Sequence, residues 1–217
     1  YVNAGKTFKN KVVYLADDMD LNPGWTAPKK ATDTVTGNPN WTPIGNDSNK
    51  FQGIFDGQGH EIKGIYVTGD TTLLGLFGGV DGANSMVMNL RLTNSYVEHT
   101  GETAFVGGVV GYLNKGTIHQ VYCKAIVKSN GTQFGGIVGR AEGLVEECWF
   151  DGEVYADRTD ATYVQAAGIV GTSWSQTGTG KTFTPLTIRN CLNTGKVIYN
   201  VTTTSGAGAG LGGQARL

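Results

Sequence analysis

From residue 51 onward, hydrophobic and polar positions alternate in short bursts separated by glycine-rich punctuation. The bursts return in the same order along the chain. A four-residue phrase, glycine, two apolar residues, glycine, recurs as Gly75-Leu76-Phe77-Gly78, Gly108-Val109-Val110-Gly111, Gly136-Ile137-Val138-Gly139 and Gly168-Ile169-Val170-Gly171. A fifth, altered copy reads Gly210-Leu211-Gly212-Gly213. Each of the first four is followed by a second apolar segment, in which Leu90, Val121, Cys148 and Cys191 share one position, with Leu92, Cys123, Phe150 and Asn193 two residues on. Third segments run through Val97, Val127, Val154 and Val197. Alternation with period two predicts strands with one face in and one face out. Asp81-Gly82, Asn130-Gly131 and Asp151-Gly152 mark turns between them.

The first glycines of the phrases stand at 75, 108, 136, 168 and 210, a period of 28 to 42 residues. Self-similarity at that period marks a stacked or radial repeat architecture, because one unit cannot bury its apolar face without a neighbour. A propeller blade has four strands and usually runs ~40–45 residues. Three predicted strands and mostly shorter periods favour a solenoid. The fold expected is all-β: a β-solenoid of about six coils. Glycine suits corners where the backbones of successive coils approach closely or where φ is positive. The long last period fits a loop inserted near 175–182. That stretch reads Ser-Gln-Thr-Gly-Thr-Gly-Lys-Thr and mimics a phosphate-binding loop without the strand–loop–helix context such a loop needs.

The first quarter of the chain has a different texture. Residues 1–50 are read as an N-terminal cap with an exposed, proline-containing loop at 22–43, and residues 51–217 as the repeats of the same structural domain. A cap covers what is otherwise an unpaired sheet edge. Phe51, Gly53 and Phe55 alternate, Asp56-Gly57 turns the chain, and Ile62 and Ile65 to Val67 resume it as the opening coil.

The Trp41-Thr42-Pro43-Ile44-Gly45 segment, the run from Phe51 to His60 and the phased glycine phrases together resemble the GLUG-motif proteins. The likeness covers about residues 5 to 213 and implies a right-handed parallel β-helix, an extracellular repeat region of a larger bacterial surface or secreted protein, of the adhesin-like or IgA-peptidase-like kind. It implies no catalytic residue. The fifth phrase departs from the pattern at Gly212, and the parent protein is expected to continue beyond Leu217 and to precede Tyr1.

Composition narrows the function classes. Glycine makes up 34 of 217 residues, about twice the usual share. Charged residues are 16 %, against an ordinary ~25 %, and the net charge is −1. Nucleic acid and anionic membranes call for a basic patch, so neither is expected as partner. No apolar run approaches the ~20 residues of a membrane span. Cys123, Cys148 and Cys191 are read as buried, reduced thiols. Asp17, Asp18 and Asp20 offer hard oxygen ligands but lack the glycine turn and closing glutamate of a calcium loop. They are read as turn formers, and no metal or cofactor is expected.

Two functions compete. A carbohydrate-active β-helix enzyme needs two carboxyls flanking one bond; Asp56 and His60 share a turn, but no second acid is evident beside them. A non-catalytic module for adhesion, ligand display or spacing needs only a rigid face. The outward positions of the second segments are Arg91, Tyr122, Trp149 and Leu192, and coil stacking places them in one column. Arg91, Tyr122 and Trp149 are therefore the candidate binding residues, for a host protein or a glycan. The competing structural role is a column covered by a loop or a neighbouring domain. The module is expected to be a monomer or a stretch of a longer stack, at the cell surface or secreted.

Overall fold

The computed structural model of the protein describes residues 1–158, 163–174, 184–201, 205–209 and 215–216. Among them the regular structure is β except for one short 3-10 turn, Val2–Ala4, and the chain forms a parallel β-solenoid of about four turns. The fifth glycine phrase and the phosphate-loop mimic lie outside the described residues.

A full turn visits five strand positions, the level at residues 12–20 only the first two, and every ladder between turns is parallel. The first column stacks Val12–Tyr14, Ile54–Asp56, 86–88, 117–119, 144–146 and 187–189. The second stacks Met19–Asp20, Glu61–Lys63, 91–93, 122–123, Trp149–Phe150 and Leu192–Asn193. The third runs from Tyr66–Gly69 through 96–99, 126–129 and Glu153–Arg158 to Lys196–Val201. The fourth is a separate sheet beginning at Leu73–Leu74, Phe105–Gly107 and Gln133–Gly135. The fifth contains Phe77–Asp81, 110–114, 138–142 and Val170–Trp174.

Three predicted strands are thus five. The second predicted segment is not one straight strand but two, joined at a corner. Asn89, Gln120, Glu147 and Asn190 hold φ of 53°, 52°, 53° and 53°, the left-handed region. The kink brings residues three apart to the same side: Val87 with Leu90, Ile118 with Val121, and Val145 with Cys148 are all buried. Asn and Asp tolerate this conformation best among non-glycine residues, which explains the asparagines at two of the four levels.

Inward residues form ladders along the axis. Val67, Val97, Val127, Val154 and Val197 occupy one register line. Leu74, Val106, Phe134 and Ala166 occupy another. The ladder through Leu90, Val121 and Cys148 is buried as expected, and the three cysteines are unbonded thiols. Cys191 is only half-buried. Burial pushes the Cys123 thiol up to about 12 and also raises Cys148, whose largest upward push is its hydrogen bond with Cys191.

The glycine phrases turn the chain between the fourth and fifth columns. Gly108, Gly111, Gly136 and Gly139 serve close approach rather than positive φ, since none is in the left-handed region, whereas Gly75 combines close approach with a φ of 155°. A Cβ on Gly111 would stand 2.7 Å from the Gly78 carbonyl, and one on Gly139 2.7 Å from the Gly111 carbonyl. The stack therefore closes backbone on backbone along this edge, and each level excludes a side chain on the next.

Residues 22–43, expected as an exposed loop, lie as a strap across the outer face of the third column. Trp25 stacks on Tyr66 with centroids 5.7 Å apart and planes 3° from parallel. Ala31 is 1 % exposed, and its N–H donates to Glu153 Oε1 at 2.7 Å. The Ala27 N–H donates to Asn94 Oδ1 at 2.8 Å, while Asn94 Nδ2 returns a bond to the Trp25 carbonyl at 3.0 Å. Tyr66, Tyr96, Ile126 and Tyr155 gather beneath it as a second apolar cluster outside the coil.

His99, at the end of the third column, is buried, and burial lowers its pKa below the ordinary 6.5 while Asp70 opposes the shift. The unfolded chain therefore takes up a proton below pH 6.5 that the folded chain resists, so stability falls as pH drops through that value. Above it the contribution of this residue no longer changes with pH. Thermal melts of wild type and His99→Asn across that range are expected to diverge on the acid side, wild type losing more. Parallel curves would contradict the burial cost assigned to His99.

Candidate functional site

The outward row on the second column assembles because the parallel register puts Arg91 beside Tyr122, Tyr122 beside Trp149 and Trp149 beside Leu192. Trp149 is 42 % exposed and Leu192 52 %. Tyr122 is half-buried between its neighbours. The Arg91 guanidinium lies 4.7 Å from the Tyr122 ring centroid, a cation–π contact. Trp149 meets Tyr122 edge-on, with centroids 4.9 Å apart and planes at 69°. The row is consequently stepped, not flat: the faces of Tyr122 are largely taken, and Trp149 is the aromatic surface that solvent reaches.

A polar chain fixes the Trp149 indole. Nε1 donates to Thr194 Oγ1 at 2.8 Å, and the Thr194 hydroxyl donates to Asp151 Oδ1 at 2.7 Å. The Tyr122 hydroxyl donates to the other Asp151 oxygen at 3.4 Å, and Lys124 stands 3.5 Å from it. These partners, Thr194 first, hold the Asp151 carboxyl below its ordinary pKa. Burial, with Asp151 adding to it, raises that of Tyr122. Residues on three levels thus hold two aromatic side chains in fixed orientations.

The covering alternative is met on the neighbouring column, where the 22–43 strap buries Tyr66 and Tyr96. Among the described residues no segment does the same over Trp149 and Leu192. A second arginine–aromatic set is consumed internally. Arg140 lies 5.1 Å from the Phe105 ring and 5.0 Å from Tyr112, and pairs with Glu142 at 3.2 Å. Burial pushes the Tyr112 hydroxyl up to about 12.

Two titratable clusters occupy the same side of the molecule. Asp18 Oδ1 accepts the Glu61 N–H at 2.9 Å and lies 3.2 Å from His60 Nδ1. The Glu61 bond, then His60, lowers its pKa. Asp17 joins them, the three ligand atoms lying within 4.8 Å. Asp20 caps its own turn by accepting the Asn22 N–H at 3.1 Å. His119, Glu146 and Glu147 form the other set, within the same 4.8 Å. Here Glu146 accepts Arg189 Nε at 2.6 Å and faces His119 at 3.3 Å, and Glu147 accepts Gln120 Nε2 at 2.9 Å. Each carboxylate in this second set is held by a neighbour on the adjacent level, the arrangement of a corner clamp. Sequence reading missed it because His119 and Glu146 meet only through the register; the alignment of Ile118 with Val145 would have placed them side by side.

No family model matches the chain, and no solved structure matches it. A protein of Evansella cellulosilytica described as a "Putative Gly-rich membrane protein" is 42 % identical over 86 residues, covering 39 % of this chain and 10 % of that protein. The chain therefore spans about a tenth of that relative's length. Among the described residues no helix is long and apolar enough to cross a membrane.

Proposed function

We propose that the chain is a non-catalytic repeat module of a larger bacterial surface or secreted protein, of the GLUG-motif kind, that displays Arg91, Tyr122 and Trp149 as a recognition row. The observation that carries this reading is Trp149: a large aromatic ring, 42 % exposed, held from its polar edge by Thr194 and Asp151. An oriented aromatic loses little entropy on binding, and such residues supply much of the energy at recognition surfaces. The contrast with the strapped third column supports it, because this chain covers one outward aromatic column and leaves the next open. The partial match to a much longer Gly-rich protein fits a module set within a longer polypeptide. On this reading the stack is a right-handed helix of about six coils, with residues 1–50 as its N-terminal cap and loop, working outside the cell as a monomer or within a longer stack. Its partner is a host protein or a glycan.

A panel of glycans and host extracellular proteins, applied to wild type and Trp149→Ala, tests the proposal. Binding that Trp149→Ala removes, with the melting midpoint moved by no more than a few degrees, is the expected result. Binding that survives the substitution eliminates the row. Cleavage of a polysaccharide by the purified domain would replace this reading with the carbohydrate-active one, and Glu146 and Glu147 would then be the carboxylates to substitute.

A further inference from the structure

Beside the row lies a shallow open groove of about 650 Å³, lined by Asp56, Gln58, Asn89, Arg91, Gln120 and Tyr122. Its chemistry is balanced: one carboxylate, one guanidinium, three amides and a phenol ring. Asp56 gives one oxygen to the Gln58 N–H at 2.9 Å and to Asn89 Nδ2 at 3.0 Å. The second oxygen remains as an acceptor. Gln120 commits its NH₂ to Glu147 at 2.9 Å, which leaves its carbonyl outward as another. Arg91 is steadied over Tyr122 and makes no ion pair among the described residues, so its N–H fork is available to donate. Donors and acceptors therefore alternate across a few ångströms, next to an exposed aromatic ring.

We infer that the ligand of this row is a neutral glycan chain. The inference rests on the recognition-row reading and names its ligand class. Neighbouring hydroxyls on a pyranose each donate and accept, which matches a mixed, charge-balanced groove. The apolar face of the ring matches Trp149. An acidic polymer fits worse, because Asp56 lines the groove with Arg91, Glu61 pairs beside Arg91 and Asp18 already feels its charge, and these carboxylates repel a second set. A protein partner fits worse too, since a stable interface buries roughly 800 Å² on each side around an apolar core, and the exposed apolar groups here are Trp149 and Leu192. The geometry also gives a direction. Corner side chains Asn89 and Gln120 and column side chains Arg91, Tyr122 and Trp149 recur at each level, about 4.8 Å apart. That spacing is close to the rise per residue of an extended hexose polymer, so the glycan runs along the solenoid axis, with the amide corners at Asn89 and Gln120 hydrogen-bonding its hydroxyls and Trp149 taking the face of one sugar.

The test uses the whole chain, the panel of glycans and host extracellular proteins above, and defined oligosaccharides: cellohexaose and mannohexaose as neutral probes, hexagalacturonate as the acidic one, with calorimetric titration. The informative variant is Asn89→Gly with Gln120→Gly, because glycine keeps the left-handed corner without strain and removes only the amides. At least one neutral hexasaccharide is expected to bind, with affinity unchanged up to roughly 0.5 M salt, where exposed charge–charge attraction is screened. The double glycine variant and Trp149→Ala should each weaken it by about tenfold or more, ~1.4 kcal/mol, while both retain a cooperative melt. Trp149-dependent binding of hexagalacturonate or of a protein, with no neutral sugar bound, overturns the neutral-glycan inference and leaves the recognition row standing. No Trp149-dependent binding to any member of the panel overturns both.

Discussion

Gly136→Val is expected to leave the chain without a stable folded state. A Cβ at Gly136 would stand 2.5 Å from the Phe150 ring and closer still to the Gly168 carbonyl. One obstacle is the backbone of the next level, the other a wholly buried ring, so neither can step aside. Overpacking a core ordinarily costs about 1–3 kcal/mol. Here the added atoms also force two levels apart, and a repeat stack draws its stability from nearest-neighbour contacts. Even Gly136→Ala should therefore cost about 3 kcal/mol or more. Gly59→Ala is the control, because nothing stands within 4 Å of its Cβ and the penalty reduces to a backbone φ of 83°, roughly 1–2 kcal/mol. Urea denaturation of the alanine pair measures the difference. Equal midpoints would mean that the glycine phrases are not packed level on level.

Phe77→Ala carries the next largest effect, about 3–5 kcal/mol. Phe77 is fully buried, 5.3 Å from the Phe51 ring and 5.4 Å from Phe55. It also bridges in parallel to Ile44, as Val80 does to Phe51. The residue thus fastens the first quarter of the chain to the repeats. The variant should lower the urea midpoint and expose residues 1–50 to protease first. A loss below about 1 kcal/mol, the range of surface positions, would show that the first quarter is not packed on the stack through this ring.

The glycine phrases, the valines at 97, 127, 154 and 197, and the shared position of Leu90, Val121 and Cys148 made the parallel stack legible in the sequence. Period and phase survive translation into registers, because stacking repeats the same contact at every level. The corner at Asn89, Gln120, Glu147 and Asn190 was not read, although Val87 and Leu90 stand three apart where strict alternation allows two or four. The fourth column escaped because strands such as Gln133–Gly135 are too short to show a period. Glycine's role at the phrases was legible in outline: close approach is the general reason, and positive φ adds to it at Gly75. The strap was unreadable in principle, since its anchors, such as Ala31 on Glu153, join residues far apart in sequence. For the site, phase alone put Arg91, Tyr122 and Trp149 in line. That Arg91 caps Tyr122, that Trp149 stands edge-on, and that Thr194 and Asp151 hold it are facts of side-chain packing, which a periodic pattern does not encode.

The proposed recognition row exists only if the parallel register of the second column holds, and amide-proton contacts in solution report that register directly. Nuclear Overhauser spectra of the isotope-labelled protein should connect the Tyr122 strand to the Trp149 strand, and that strand to Leu192–Asn193, all running in one direction. Such a network, with the Trp149 indole resonance shifting when a bound glycan is added, is the expected result. Antiparallel contacts between these strands, or a register offset by one residue that turns Trp149 inward, would contradict it.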